Sequence, residues 1–287
     1  MMRRCWGIFR ERERSPGREF DDAEILRLAA KHLEATGCQV SLRPPEELRE
    51  ADEPLPSLVF LMCEGVEALA FLERLEAKGI LHVNPVQAVL NTYRDRMIPL
   101  LAASGVQIPE THIIPSDPSN LDHPSTVLRT GRFPMWAKRA DAHYIQSGDV
   151  EFVRSPVDLR EVLAALHSRG IPRVVLQQHV SGDLIKFYGV GQPRGEDEMD
   201  VWFRWFYHRD QELAWHPFSE EALRSVAERA ARALGLEIYG GDAIVTSSRE
   251  VFLIDINAWP SFALYREEAS MRIARRLLRL LTNRVLP

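Results

Sequence analysis

Strand-like and helix-like segments alternate along the first third of the chain, and strands outnumber helices beyond it. The sequence therefore predicts an α/β domain followed by an α+β fold with mixed or antiparallel sheets. A linker rich in Ser, Asp, Asn and Pro, Pro115 to Pro124, marks the change of style. The predicted units are residues 1–87, 88–172 and 173–287. With 45% hydrophobic and 27% charged residues over 287 positions, the chain can bury a sizeable core and is unlike low-complexity or disordered sequences.

In the first unit Trp6–Phe9 reads as a strand. Asp21 or Asp22 caps a helix whose apolar positions Ile25, Leu26, Leu28, Ala29 and Leu33 recur at helical spacing, and Gly37 stops it. The strand Gln39–Leu42 is broken by Pro44-Pro45; Leu58–Met62 reads as a buried parallel strand, Val66–Lys78 as a helix ended by Gly79, and Ile80–Val83 as a strand. One helix runs from Pro85 to Ser104 and stops at Gly105, and Ile108-Pro109 opens an extended segment toward Ile114. Beyond the linker the strands are Met135–Arg139, Val174–Gln178, Leu184–Gly189, Val201–His208, Asp242–Thr246 and Val251–Asn257. The helices are Val157–Ser168, Ser219–Leu234 and an amphipathic one over Arg266–Arg284.

Several function classes are disfavoured. Lys plus Arg number 36 against 41 Asp plus Glu, a net charge of −5, so there is no global basic field for nucleic acid. The apolar run Leu55–Cys63 is far short of the ~20 residues that span a bilayer. Arg3-Arg4 is followed only by Cys5 to Phe9 before charges resume, which lacks the core of a signal peptide and predicts a cytoplasmic protein. Cys5, Cys38 and Cys63 form no Cys-x-x-Cys pair and read as buried or free thiols. The glycine-lysine phosphate loop, Gly-x-Gly-x-x-Gly, His-Glu-x-x-His and Gly-x-Ser-x-Gly are all missing from the sequence.

The chemistry concentrates in Gly240-Gly241-Asp242-Ala243-Ile244-Val245-Thr246 and Val251-Phe252-Leu253-Ile254-Asp255-Ile256-Asn257, which read as the two strands of a hairpin. If residues 247 and 250 bracket the loop, Asp242 lies opposite Asp255, and alternation adds Asn257 to the same face. Two carboxylates and an amide oxygen at one spot need a cation or a shared proton, and hard oxygen donors suit magnesium. Lys138 ends a mostly buried strand and Lys186 sits in the middle of another, positions that invite an anionic or polar ligand. In Val201 to Arg209, alternation puts Arg204 and His208 on one face with Trp202 and Phe206, and Phe203, Trp205 and Tyr207 on the other.

In order and spacing these residues resemble the ATP-grasp superfamily over about Asn84 to Ala269, the N-terminal α/β segment fitting the domain that precedes it there. The resemblance implies ATP held between two α+β subdomains, with phosphate contacts from Arg96 in Tyr93-Arg94-Asp95-Arg96-Met97 and from Lys138. It implies adenine contacts along Gln177, Gln178, His179 and Val180, a ribose contact from Asp183, and magnesium at Asp242, Asp255 and Asn257, as two ions that manganese can replace. Arg96, Ala142-His143, Lys186 and Asp255 look most like the inositol trisphosphate 5/6-kinase branch, with the ribosomal-protein glutamylating ligases as runner-up.

A kinase that passes the γ-phosphoryl group to a phosphorylated polyol is the reading this favours. Lys186, Arg204 and His143 are then catalytic, and His143, Lys186, Arg204, Ser261 and Arg266 hold the acceptor. The alternative is a ligase that makes an acyl phosphate for an amine or thiol, with Arg204 at the oxyanion; a non-catalytic ATP-binding module is the third reading. A polyphosphate acceptor predicts a strongly basic cleft, whereas an amino-acid acceptor predicts one or two cations. The implied partner is a small-molecule acceptor, without nucleic acid or integral membrane contact; an oligomer is compatible with the sequence, and Gln192–Asp200 is a candidate lid.

Overall fold

A computed structural model describes residues 3–49, 54–122, 132–192 and 201–283. Positions 193–200 of the predicted lid, the end of the predicted linker and Arg284 lie outside the described residues.

The described residues form three four-stranded sheets. The first is parallel, in the order β2-β1-β3-β4, from β1 (Arg4–Ile8), β2 (Gln39–Arg43), β3 (Leu58–Leu61) and β4 (Leu81–Val83). Parallel strands need crossovers, supplied here by α1 (Glu19–Glu34) and α2 (Val66–Ala77). Asp22 is not a cap. It lies inside α1, buried, where its carboxylate accepts from Ser15 Oγ at 2.6 Å and pairs with Arg10 at 3.6 Å.

The single helix predicted over Pro85–Ser104 is two, α3 (Val86–Leu90) and α4 (Arg94–Ala103). The break has a local cause: the Thr92 hydroxyl donates to the Val89 carbonyl at 2.7 Å, and Asn91 Nδ2 donates to the Leu234 carbonyl at 3.2 Å.

The second sheet, β5-β8-β6-β7, is antiparallel throughout and consists of β5 (Thr111–Pro115), β6 (Met135–Arg139), β7 (Val150–Val153) and β8 (Arg173–Gln178). β8 thus belongs with the second sheet, although a boundary at residue 172 assigns it to the third unit. β7 was not predicted; four residues with a glutamate among them carry too little alternation. With α5 (Pro156–Ser168) this sheet closes its own small core around Ile114, Ala137, Leu163 and Val174.

The third sheet, β10-β9-β11-β12, is also antiparallel: β9 (Asp183–Val190), β10 (Trp202–Tyr207), β11 (Ile238–Val245) and β12 (Val251–Ala258). β11 begins at Ile238 rather than at Asp242, because Gly240 and Gly241 disguise its first half. Each sits where a Cβ would collide with a neighbouring strand, at 2.8 Å from Tyr188 for Gly240 and at 2.7 Å from Phe187 for Gly241. α6 (Glu220–Leu234) is capped by the Ser219 hydroxyl and ends at Gly235 in the left-handed region, as its sequence predicts. Both faces of β10 are covered, Phe203 stacking on Phe187 at 5.9 Å and Trp202 packing against Phe262 at 6.0 Å.

The first and third sheets share their cores. Cys5, Ile25 and Leu33 pack in one cluster with Trp202, Trp259 and, from α7 (Arg266–Asn283), Leu277. Asn84, fully buried after β4, ties the two sheets: Nδ2 donates to the Ile238 carbonyl at 2.8 Å and Oδ1 accepts from Glu237 N at 2.7 Å and Ile238 N at 2.9 Å. All three cysteines are buried and free. Among the described residues no helix is long and apolar enough to cross a membrane.

Replacing Asn84 by Ala strands three buried backbone groups. A stability loss of about 3 kcal/mol is expected in urea denaturation, with Asn84→Asp losing at least as much near pH 7, because it keeps the acceptor but buries an unpaired carboxylate against the Ile238 carbonyl.

Candidate functional site

Two cross-strand rows build the site. Phe206, Lys186, Asp242 and Asp255 lie opposite one another across the four strands of the third sheet; the neighbouring row is Arg204, Tyr188, Gly240 and Asn257. Alternation puts both rows on one face. The predicted pairing of Asp242 with Asp255 is present, but by a different route: Val245 pairs with Val251 at the turn, and a bulge between Asp242 and Ala243 shifts the register by one so that the aspartates meet.

Opposed carboxylates repel, and here each has a cation. Lys186 Nζ donates to Asp242 Oδ1 at 2.7 Å, and Arg94 Nη2 donates to Asp255 Oδ2 at 2.9 Å. Arg94 is buried and also donates to the carbonyls of Ala142 at 2.8 Å and Arg139 at 3.2 Å, so it links α4, the loop after β6, and β12. Burial pushes the Asp255 carboxyl upward, but Arg94, His143 and Lys138 outweigh it and bring the pKa down to about 2. His143 lies 3.9 Å from Asp255 Oδ1 and bonds Thr92 Oγ1 through Nε2 at 3.0 Å; burial lowers its pKa, which keeps it neutral near pH 7.

Lys138 is buried beside this group and donates to Gln177 Oε1 at 2.7 Å. Burial brings its pKa down to about 8, opposed by Asp255 and Asp242 and reinforced by Arg94. The segment before β9 commits two of its amides: Gln178 N donates to Glu110 O at 2.8 Å and His179 N to Pro134 O at 3.2 Å. The His179 ring lies against Phe152 and accepts from Trp136 Nε1 at 3.3 Å, while Val180 is half-buried beside it.

Four predicted residues stand elsewhere. Arg96 is exposed on α4, and the cation at Asp255 is Arg94. The missed signal was periodicity: Arg94 shares helical spacing with the buried Met97, Ile98 and Leu101, and Arg96 does not. Asp183 is buried with both carboxylate oxygens taken, by Ala214 N and His216 N at 2.7 Å each, so it anchors a loop. Arg204 pairs with Glu268 at 2.8 Å, and Arg266 pairs with Asp21. Ser261 does belong to the site: it lines a cavity of about 410 Å³ with Lys186, Tyr188, Asp242, Asp255 and Asn257. Across that cavity stand Arg10, Arg14 and Arg18, from the segment between β1 and α1, which the sequence reading did not single out.

Among the described residues no three His, Cys, Asp or Glu side chains converge, so a metal at this face depends on the two carboxylates and the Asn257 amide oxygen. That set fits magnesium, a hard ion that takes oxygen ligands. Asp242 gives Oδ1 to Lys186 and keeps Oδ2, whereas Asp255 gives Oδ2 to Arg94 and Oδ1 to the Ile256 amide at 3.0 Å, so an ion there would use the second lone pair of an oxygen already accepting one hydrogen bond.

Breaking the Arg94–Asp255 pair on one side leaves a buried charge. Arg94→Met is expected to lose roughly 3–5 kcal/mol, and the double variant Arg94→Met/Asp255→Asn much less than the sum of the singles, in a double-mutant cycle read by denaturation.

The sequence matches no protein-family model and no curated protein. Solved structures do match over nearly the whole of both chains. A RimK domain ATP-grasp protein from Sphaerobacter thermophilus is 16% identical with a TM-score of 0.70, covering 96% of this chain and 99% of its own. The VanG D-Ala:D-Ser ligase of Enterococcus faecalis is 12% identical with a TM-score of 0.74 over 98% and 100%, and D-alanyl-alanine synthetase A of Vibrio cholerae is 12% identical with a TM-score of 0.75 over 98% of each. The chain therefore has the ATP-grasp fold.

Proposed function

We propose that the protein is an ATP-dependent ligase that activates a carboxylate as an acyl phosphate and joins it to an amine or another nucleophile. The observation that carries this reading over the polyol kinase is the state of the cations. Lys186 lies on Asp242, Arg204 on Glu268 and Arg266 on Asp21, and burial keeps His143 neutral near pH 7. The residues that the kinase resemblance assigns to a polyphosphate acceptor are thus already paired or uncharged, and the cavity keeps two further cations, Arg14 and Arg18, the number an amino-acid acceptor predicts. The whole-chain neighbours named as D-Ala–D-Ala and D-Ala:D-Ser ligases support the same choice.

In this reading ATP lies between the second and third sheets, with its adenine along Gln177 to Val180. Lys138 and Arg94 offset phosphate charge from a dry, preorganised position. Asp242, Asp255 and Asn257 would hold magnesium, which when bound neutralises the β- and γ-phosphates. A carboxylate oxygen of the first substrate attacks the γ-phosphorus and ADP leaves. The nucleophile then attacks the acyl carbon and phosphate leaves. The protein contributes positioning and charge, as phosphoryl transfer requires.

The test is a parallel assay of ADP and inorganic phosphate with Mg-ATP and panels of carboxylates, amines and inositol phosphates. Equal ADP and phosphate, dependent on a carboxylate and a nucleophile together, is expected; ADP with a phosphorylated polyol and no free phosphate would establish the kinase instead. Asp242→Asn, at a partly exposed position, should lower kcat at least about 100-fold while leaving the fold intact.

Lys138 supplies a second, independent check. With a pKa of about 8 in the free protein it is mostly neutral near pH 9, and nearby phosphates favour its charged form. ATP binding at about pH 9 should therefore take up a proton, seen as a buffer-dependent heat in calorimetry, and Lys138→Arg should abolish the uptake because Arg is always charged.

A further inference from the structure

We infer that Arg14 and Arg18 form an anion subsite of the acceptor chamber, one that binds a second anionic oxygen group, a carboxylate or a phosphate, on the ligase's acceptor. This rests on the ligase reading for the word acceptor, but the subsite itself stands on the geometry of the cavity.

Charge along the cavity wall does not balance. Each carboxylate that lines it already has a cation: Asp22 has Arg10, Asp242 has Lys186 and Asp255 has Arg94. Arg14 and Arg18 line the same cavity, and among the described residues no side-chain hydrogen bond or ion pair ties either guanidinium. The wall therefore carries two unbalanced guanidinium groups, each a planar fork suited to an oxyanion.

The opposite wall offers neutral donors at a fixed place. Tyr188 and Ser261 line the cavity, and Arg18 acts electrostatically on the Tyr188 hydroxyl. Burial raises the Tyr188 pKa to about 12, so that hydroxyl keeps its proton and donates. Ser261 sits in a turn whose flanking residues Trp259 and Phe262 have φ of 40° and 50°, values that cost non-glycine residues free energy. Packing imposes this shape. Trp259 is fully buried, stacked on Phe60 at 5.9 Å, and its carbonyl accepts from Arg10 Nη2 at 2.8 Å; Phe262 is fully buried against Tyr188 at 4.9 Å. The turn sustained in this way holds the Ser261 side chain against the Tyr188 hydroxyl, to which it is hydrogen-bonded, so the two make one fixed polar point on the cavity wall.

Lys138 is not among the residues that line this cavity. Arg94, Asp242, Asp255 and Asn257, which this reading gives to the phosphates and the metal, line one part of the cavity, and Arg14 and Arg18 line it from the segment before α1, so an acceptor seated between the two sets would meet the γ-phosphate at one end and the two arginines at the other.

The experiment titrates the full-length protein with succinate and, separately, with inorganic phosphate. It compares the wild type with Arg14→Ala, Arg18→Ala and the double variant, and measures Mg-ATP affinity for each as reference. The substituted side chains belong to no buried pair, so folding is not expected to change. Binding of one anion to the wild type, weakened about tenfold in either single variant and lost in the double, with ATP affinity within about twofold, is the expected result. Which of the two anions binds identifies the group. Binding unchanged in the double variant, no binding of either anion to the wild type, or a parallel loss of ATP affinity would each overturn the subsite. The titration uses no turnover: if the arginine dependence holds while ADP release proves independent of carboxylates, the ligase reading fails and the anion subsite stands.

Discussion

The register of β9, β11 and β12 is the constraint on which the site depends. Side chains in a strand alternate between faces, so a slip of one residue would send Asp255 and Asn257 to the face packed on α6 and bring Ile254 and Ile256 into the cavity. The bulge between Asp242 and Ala243 prevents that outcome. The turn is paired in one register, the site in the next, and the unpaired residue between them absorbs the difference. Gly240 and Gly241 belong to the same device, since the strands close around them at distances that leave no room for a Cβ.

Electrostatics then decides what the face can bind. Two carboxylates on adjacent strands, with Lys186 in the same row, Arg94 arriving from a helix and Lys138 from another sheet, make a cluster whose members come from every layer of the third and second sheets and the helix between them. A low dielectric strengthens each pairing and also makes each unpaired member costly. The cluster thus joins folding and ligand binding: the groups that would meet phosphates and a metal also hold the layers in contact.

Much of this face was legible in the sequence, because alternation and a hairpin place Asp242, Asp255 and Asn257 by local rules alone. The agreement has a twist. The turn assumed from residues 247 and 250 differs from the real one, and the bulge, which no pattern announces, restores the pairing. Arg94 was legible in principle from its helical spacing with Met97, Ile98 and Leu101, but the motif drew attention to Arg96. Asp183 shows the opposite limit: an acidic residue at a strand start looks available, and only the tertiary structure brings the amides of Ala214 and His216 to it. Arg14 and Arg18 could not have been found, since the chamber they enter is made by the residues around positions 240–261, more than two hundred positions away.

The shared core of the first and third sheets has a mechanical consequence. Asn84, Arg10 and the packing of α1 on α7 weld the two ends of the chain into one frame, while the sheet of β5 to β8 keeps a core of its own on one face and meets the frame's core through Val175 on the other. What the sequence presents as three units in a row is, in stiffness, two bodies: a frame and a jaw. Any change in the width of the gap between the two bodies is then a swing of the jaw about its two connections, 104–110 and 179–182, with Arg94 as the clasp between them, and since His143 and Tyr144 from the loop after β6 line the cavity along with residues of the frame, such a stroke would change the cavity's width as well.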